Sequence, residues 1–171
     1  MFFLTAGRCF GVQELVSGTD DNFGSVRRNE LTANPPMDAL LVEPFPGVDA
    51  YQILSTKSGD FGRVTGQYRN AELTPGRPIA MYGEGTGLTY GTVDVRYTIS
   101  GQSLMCATYK SSGADLGGPV FTHDQNGVKA AGMHVRSHLL PTGRVLSCFI
   151  TIEDLLNRFG AYLPVFSSPT G

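Results

Sequence analysis

Residues 110–121 read KSSGADLGGPVF, and the way this stretch folds decides how the rest of the chain is read. Gly113, Gly117 and Gly118 supply turn chemistry, and Pro119 suits the first residue of a strand. The stretch therefore predicts a tight turn feeding a strand, GPVFTH (118–123). SLMCATY (103–109) before it, and VKAAGMHV (128–135) and GRVLSCFI (143–150) after it, have the length and bounding turns of strands. Further out, RPIAMYGEGTGLTYGTVDVRYTI (77–99) predicts two strands around a glycine-rich turn. That turn, GEGTG (83–87), has neither the lysine nor the helix start of a phosphate loop.

Toward the N-terminus, DALLVEPF (38–45) and DAYQIL (49–54) are predicted strands split by Pro46-Gly47. Residues 11–36 are predicted to be loop, with Gly18, Asp20, Asp21, Asn22 and Gly24 as turn formers. MFFLTA (1–6) is a predicted strand, and FFLTAGRCF (2–10) carries it into a turn. One segment breaks the β pattern. In TIEDLLNRFGAYL (151–163), Ile152, Leu155, Leu156, Phe159 and Leu163 recur at helical spacing, and Thr151 with Asp154 makes a capping-box start. No internal repeat or low-complexity tract interrupts this order.

The chain has 171 residues, the size of one ordinary domain, enough to bury ~70% of its unfolded surface. Its 22 glycines and 10 prolines fit an all-β chain with frequent turns. Thirteen basic and 15 acidic side chains leave a net charge of −2, which gives no electrostatic footprint for nucleic acid or an anionic membrane; neither is an expected partner. No apolar run approaches the ~20 residues of a spanning helix. MFFL is too short for a signal peptide, and Arg8 interrupts it.

Cys9, Cys106 and Cys148 are odd in number and lack C-x-x-C spacing, so no structural zinc is expected. One disulfide with a free thiol, or three thiols, both remain open; Cys106 and Cys148 read as small core residues on strands. His123 reads as a turn or surface residue, His138 as a loop residue, and His134 as an inward residue of the GMHV strand. No metal and no cofactor is expected from this set.

Two stretches resemble known catalytic motifs. FFLTAGRCF is similar to the TAGHC segment of chymotrypsin-like serine proteases, and GADLGGPVF (113–121) is similar to their GDSGGP. The likeness is to the small bacterial streptogrisin-type and other trypsin-like domains. Residues 66–93 resemble the segment opening their second barrel, and SCFITIEDLLNRFGAYLPV (147–165) resembles their last strand and closing helix. Four anchors in family order span nearly the whole chain. The resemblance implies an all-β fold: a trypsin-like double six-stranded β-barrel with a C-terminal α-helix. Residues 1–75 would form the N-terminal barrel half, and 76–171 the C-terminal half with the helix at 151–163. The family's first hairpin, roughly 25–30 residues on the usual domain size, has no counterpart before TAG. The first barrel is thus expected to be N-terminally truncated, as a fragment or a gene start placed too late. The family is mostly secreted, which this resemblance implies in turn.

Carried over residue by residue, the resemblance puts Arg8 in the histidine position and Leu116 in the serine position. Arginine stays protonated and has no lone pair to accept a proton, so Arg8 is no general base. Leucine has no nucleophilic atom. Asp49 is the favoured remnant of the triad aspartate, with Asp38 as the alternative. Either carboxylate is also a plain ion-pair partner for Arg8, and Leu116 a plain filler of the former pocket. The oxyanion hole would be the backbone of Ala114, Asp115 and Leu116, with Ala114 replacing the family's glycine. The substrate-binding strand would be His134, Val135, Arg136 and Ser137, where Val135 replaces a serine and Arg136 and Ser137 replace two glycines.

Losing the nucleophile or the base costs ~10⁶ in turnover, and the residual ~10³–10⁴ over water comes from the oxyanion hole and binding. Both of those are altered here as well. Three readings follow. The first is a proteolytically inactive binding or regulatory module that holds an extended peptide or protein in the former cleft. The second is a decayed, fragmentary or altered copy of an active serine endopeptidase, since His→Arg and Ser→Leu each need one base change. The third is a protease using an unorthodox base, His134, which is otherwise a satisfied core histidine.

Overall fold

Glycine turns cutting runs of alternating side chains give twelve strands among the residues that the computed structural model describes, which are 3–6, 15–17, 22–45, 53–56 and 59–163. A first sheet holds β1 (Phe3–Thr5), β2 (Leu15–Ser17), β3 (Asn22–Asn29) and β4 (Leu40–Pro44) in the order β1-β4-β3-β2. The second holds β5 (Ile53–Thr56), β6 (Gly59–Gln67), β7 (Pro78–Gly83), β8 (Gly87–Ile99), β9 (Gln102–Ala107), β10 (Pro119–Asp124), β11 (Gly127–Leu139) and β12 (Val145–Thr151). Its order is β10-β7-β8-β9-β12-β11-β6-β5, and β10 pairs β11 as well. That extra pairing closes β7 through β12 into a six-stranded barrel, which leaves no sheet edge within the ring. β6 joins from outside by a short parallel pairing with β11 at Val128–Ala130.

Two expectations for the N-terminal part and two for the C-terminal part need correction. Residues 11–36 are not loop throughout, because β2 and β3 lie there. β3 pairs β4 from Gly24↔Pro44 to Asn29↔Leu40 and buries Val26. Those ladder bonds outweigh local turn chemistry. Gly24 serves close approach rather than a turn, since a Cβ there would lie 2.5 Å from the Glu43 carbonyl oxygen. β6 drew no expectation at all. β11 runs past residue 135 to Leu139, paired with Val145, so His138 is a strand residue and not a loop residue. The helix, α1 (Ile152–Phe159), is shorter than the periodicity of 151–163 predicts, because Gly160 takes a left-handed conformation (φ 61°) and ends it. Thr151 caps its start by accepting the Asp154 N–H at 3.3 Å.

The main core lies between the two sheets. Leu104, Val135, Leu146, Ile150 and Leu155 pack there with Ala39, and Leu4 and Met37 close over them. Cys106 and Cys148 belong to this core, yet they are a disulfide rather than separate thiols: β9–β12 register sets them opposite each other with Cα atoms 4.0 Å apart. Helix α1 fastens the first sheet to the second. Arg158 Nη1 donates to Glu30 Oε2 and to the Pro35 carbonyl, both at 2.9 Å, and the Arg28 guanidinium lies over the Phe159 ring. No helix among the described residues is long and apolar enough to cross a membrane.

Candidate functional site

The turn that opened the sequence reading lies at the meeting of the sheets. Ser112 starts a single 3₁₀ turn, Gly113–Asp115; its hydroxyl accepts the Ala114 N–H at 3.3 Å, and its carbonyl accepts the Asp115 N–H at 3.2 Å. The buried Asp115 carboxylate anchors this turn to the β7–β8 connection. It accepts the Gly85 N–H (2.7 Å), the Thr86 N–H and hydroxyl (both 2.9 Å), and the Ser112 N–H (2.6 Å) and hydroxyl (3.0 Å). Burial alone pushes the Asp115 pKa up, but these donors outweigh it and hold the carboxyl below its usual range. GEGTG is therefore a turn whose amide groups bind a carboxylate. Its glycines are required: a Cβ at Gly83 would overlap the Asp115 side chain, and one at Gly85 would meet Ser112 Oγ at 2.3 Å. Sequence reading placed Asp115 only as a backbone donor and missed this role.

Leu116 follows with φ −57° and ψ 131°, partly exposed. Gly117 (φ 83°) donates its N–H to the His134 carbonyl, and the Gly118 carbonyl accepts the His134 N–H, each at 2.8 Å. On its other side Gly117 packs on β1: an added Cβ would lie 2.4 Å from Thr5 Oγ1 and 3.3 Å from the Ala6 nitrogen. Hence the described part of TAGRC touches LGGP, from opposite ends of the chain. Arg8 itself lies outside the described residues, as do Cys9 and Asp49. Asp38 is fully buried two residues ahead of β4, and its peptide N–H donates to Gln102 Oε1 at 3.1 Å.

The expected binding strand is β11. His134 is buried, with Nδ1 3.0 Å from the Tyr109 hydroxyl. Burial lowers its pKa to about 4 against a smaller opposing pull from Asp115, so the ring is neutral at pH 7. Burial also raises the Tyr109 pKa, which keeps that phenol protonated. Val135 is fully buried in the core between the sheets. A register shift between His134 and Arg136 re-aims the strand there. Arg136 Nη1 is 3.4 Å from Ser100 Oγ, while its buried Nε has no acceptor. Ser137 belongs to a hydroxyl cluster that sequence reading missed. Ser111 Oγ is 3.3 Å from Ser137 Oγ and 2.7 Å from Ser147 Oγ, and Ser147 donates to the Tyr109 carbonyl at 2.7 Å. Among the described residues no group of three or more His, Cys, Asp and Glu side chains is placed to hold a metal ion. His123 is exposed on β10 beside the Tyr90 hydroxyl.

The closed six-stranded barrel, the first sheet packed on it, and the terminal helix define a trypsin-like serine-protease fold, and solved structures bear this out. Thermobifida fusca protease A superposes with a TM-score of 0.71 at 22% identity, covering 93% of this chain and 82% of its own. Cellulomonas bogoriensis chymotrypsin does so with a TM-score of 0.73 at 17% identity, covering 95% and 85%. A protease described as glutamic acid-specific, using a histidine triad in substrate binding, matches with a TM-score of 0.72 at 19% identity over 94% and 86%. No protein-family model matches the sequence, and no curated protein is significantly similar to it.

Proposed function

We propose that this protein is a protease-fold binding module that holds an extended peptide segment and does not hydrolyse it. The observation that carries the reading is Leu116: an isobutyl group stands on the turn where β1, β11 and the Asp115-anchored loop converge, at the position that the GDSGGP resemblance gives to a serine. Two further features support it. The Ala114 N–H, expected to face an oxyanion, is engaged by Ser112 Oγ. His134, the one substitute base considered, has Nδ1 committed to Tyr109 and no nucleophile at position 116 to serve. The five hydrogen bonds on Asp115 and the close-packed glycines around it favour a maintained scaffold over a decayed copy.

The binding mode follows from the sheet. β10 pairs β11 only as far as Pro119↔Met133, and among the described residues β11 has β12 alone as a neighbour from Arg136 to Leu139. That open edge accepts an added strand. Beside it the hydroxyls of the half-buried Ser111 and the exposed Ser137 offer hydrogen bonds to a polar side chain.

A fluorogenic peptide library together with peptide-binding measurements tests the proposal. The expected result is saturable binding of extended peptides with no turnover. Hydrolysis that disappears on mutating a residue beside Leu116 would overturn it. The double change Arg8→His and Leu116→Ser reports how much of a working site remains: recovered cleavage of a bound peptide places the ligand in this cleft.

A further inference from the structure

We infer that Arg136 is an anchor for an acidic side chain of the bound segment, so that the partner is an extended peptide carrying a carboxylate beside β11. This rests on the binding reading above and adds the ligand's chemistry to it.

The argument starts from the state of the guanidinium. Among the described residues Arg27, Arg28, Arg96, Arg144, Arg158 and Lys129 each meet a carboxylate. Arg136 meets none. Its one polar contact is Nη1 to Ser100 Oγ at 3.4 Å, the long limit of a hydrogen bond, and its Nε is sealed from water without an acceptor. A buried N–H of a charged group left unpaired is costly, and a protein keeps it where something else supplies the acceptor. Arg136 also occupies the open stretch of β11, just past the register shift that follows His134. A ligand strand added there runs directly past it. The side chain as a whole is only partly buried, so rotation of its outer torsions presents the Nε edge to that strand. A carboxylate accepts from Nε and a terminal nitrogen together, a planar two-bond fit that a carboxamide matches poorly.

The test uses the whole chain and fluorescein-labelled, capped, alanine-based peptides with a single Glu scanned through every position, each with its Gln counterpart, read by anisotropy. The expected result is one position at which Glu binds about tenfold or more tighter than Gln. Arg136→Gln then abolishes that preference, so that Glu and Gln peptides bind it equally. Arg136→Lys, which keeps the charge and much of the packing, retains only part of the preference. Equal binding of Glu and Gln peptides at every position overturns the inference while leaving the binding reading intact, and so does a preference that survives Arg136→Gln. Binding by no peptide overturns the binding reading itself and this inference with it. Loss of binding by Arg136→Gln to all peptides alike, with an unchanged melting curve, assigns Arg136 to shaping the cleft and overturns its role in reading acid.

Discussion

At His134 burial acts against the charged ring and sets its pKa near 4, while the Asp115 carboxylate pulls weakly the other way. The unfolded chain restores a value near 6.5, so between about 6.5 and about 4 the unfolded state binds the additional proton. This contribution to stability is fully present above pH 6.5 and is lost as pH falls toward 4, on the order of 3 kcal/mol in all. Urea unfolding at pH 7 and pH 4.5 measures it, and His134→Gln should flatten the difference; an unchanged pH slope in that variant would place the titration elsewhere. His134 was legible as an inward residue from its place on the apolar GMHV strand, where Met133, His134 and Val135 are all buried. Its Tyr109 partner was not, since Tyr109 lies just past the end of β9, 25 residues before His134 in the chain. Leu116 was readable from its motif alone: no fold gives an isobutyl group a nucleophilic atom. Asp115 shows the reverse. Its identity was plain, but its task depends on amide groups of Gly85 and Thr86, about 30 residues earlier.

Among elements, β11 is central to the proposed binding. It bonds the LGGP turn through His134, pairs β12 from Gly132 to Leu139, and from Arg136 onward has β12 as its one strand partner among the described residues. Gly132 makes that pairing possible, since a Cβ there would lie 2.2 Å from the Ile150 carbonyl oxygen and 2.6 Å from Phe149 Cδ2. Gly132→Ala should therefore lower stability by about 3 kcal/mol through overpacking against backbone that cannot yield. A shift of the urea midpoint with an unchanged slope is the expected result, and a midpoint equal to that of the parent would contradict it. Strands 7 to 12 were largely legible because each is a run rich in apolar and β-branched residues bounded by turn residues. β3 was hidden for a physical reason. Its sequence, NFGSVRRN, is polar and turn-rich, and only pairing with β4 on one side and β2 on the other makes it a strand.

For the molecule as a whole, the Cys106–Cys148 disulfide joins the middle of the barrel wall across 42 residues of chain. A loop of that length removes denatured-state entropy worth about 4 kcal/mol. Both sulfurs are fully buried, so a reductant acts only when the barrel opens. Denaturant unfolding with a thiol reductant present throughout should show a loss of this size, together with slow reduction under native conditions. Equal midpoints with and without reductant would contradict it. The clasp of α1 onto the first sheet through Arg158, Glu30 and Pro35 belongs to the same scale, because it ties residues more than 120 positions apart.

By itself the sequence determined the chemistry of positions 8 and 116, the order of the four motif segments, the barrel strands bounded by turns and the capped terminal helix. These follow from covalent structure and from spacing within a few residues. Tertiary structure alone decided that a polar stretch becomes β3, that Cys106 faces Cys148, that a glycine turn binds Asp115 and that Arg136 Nε is left without an acceptor. Each of those depends on strand register and on packing between the sheets, which bring together groups that no local pattern relates.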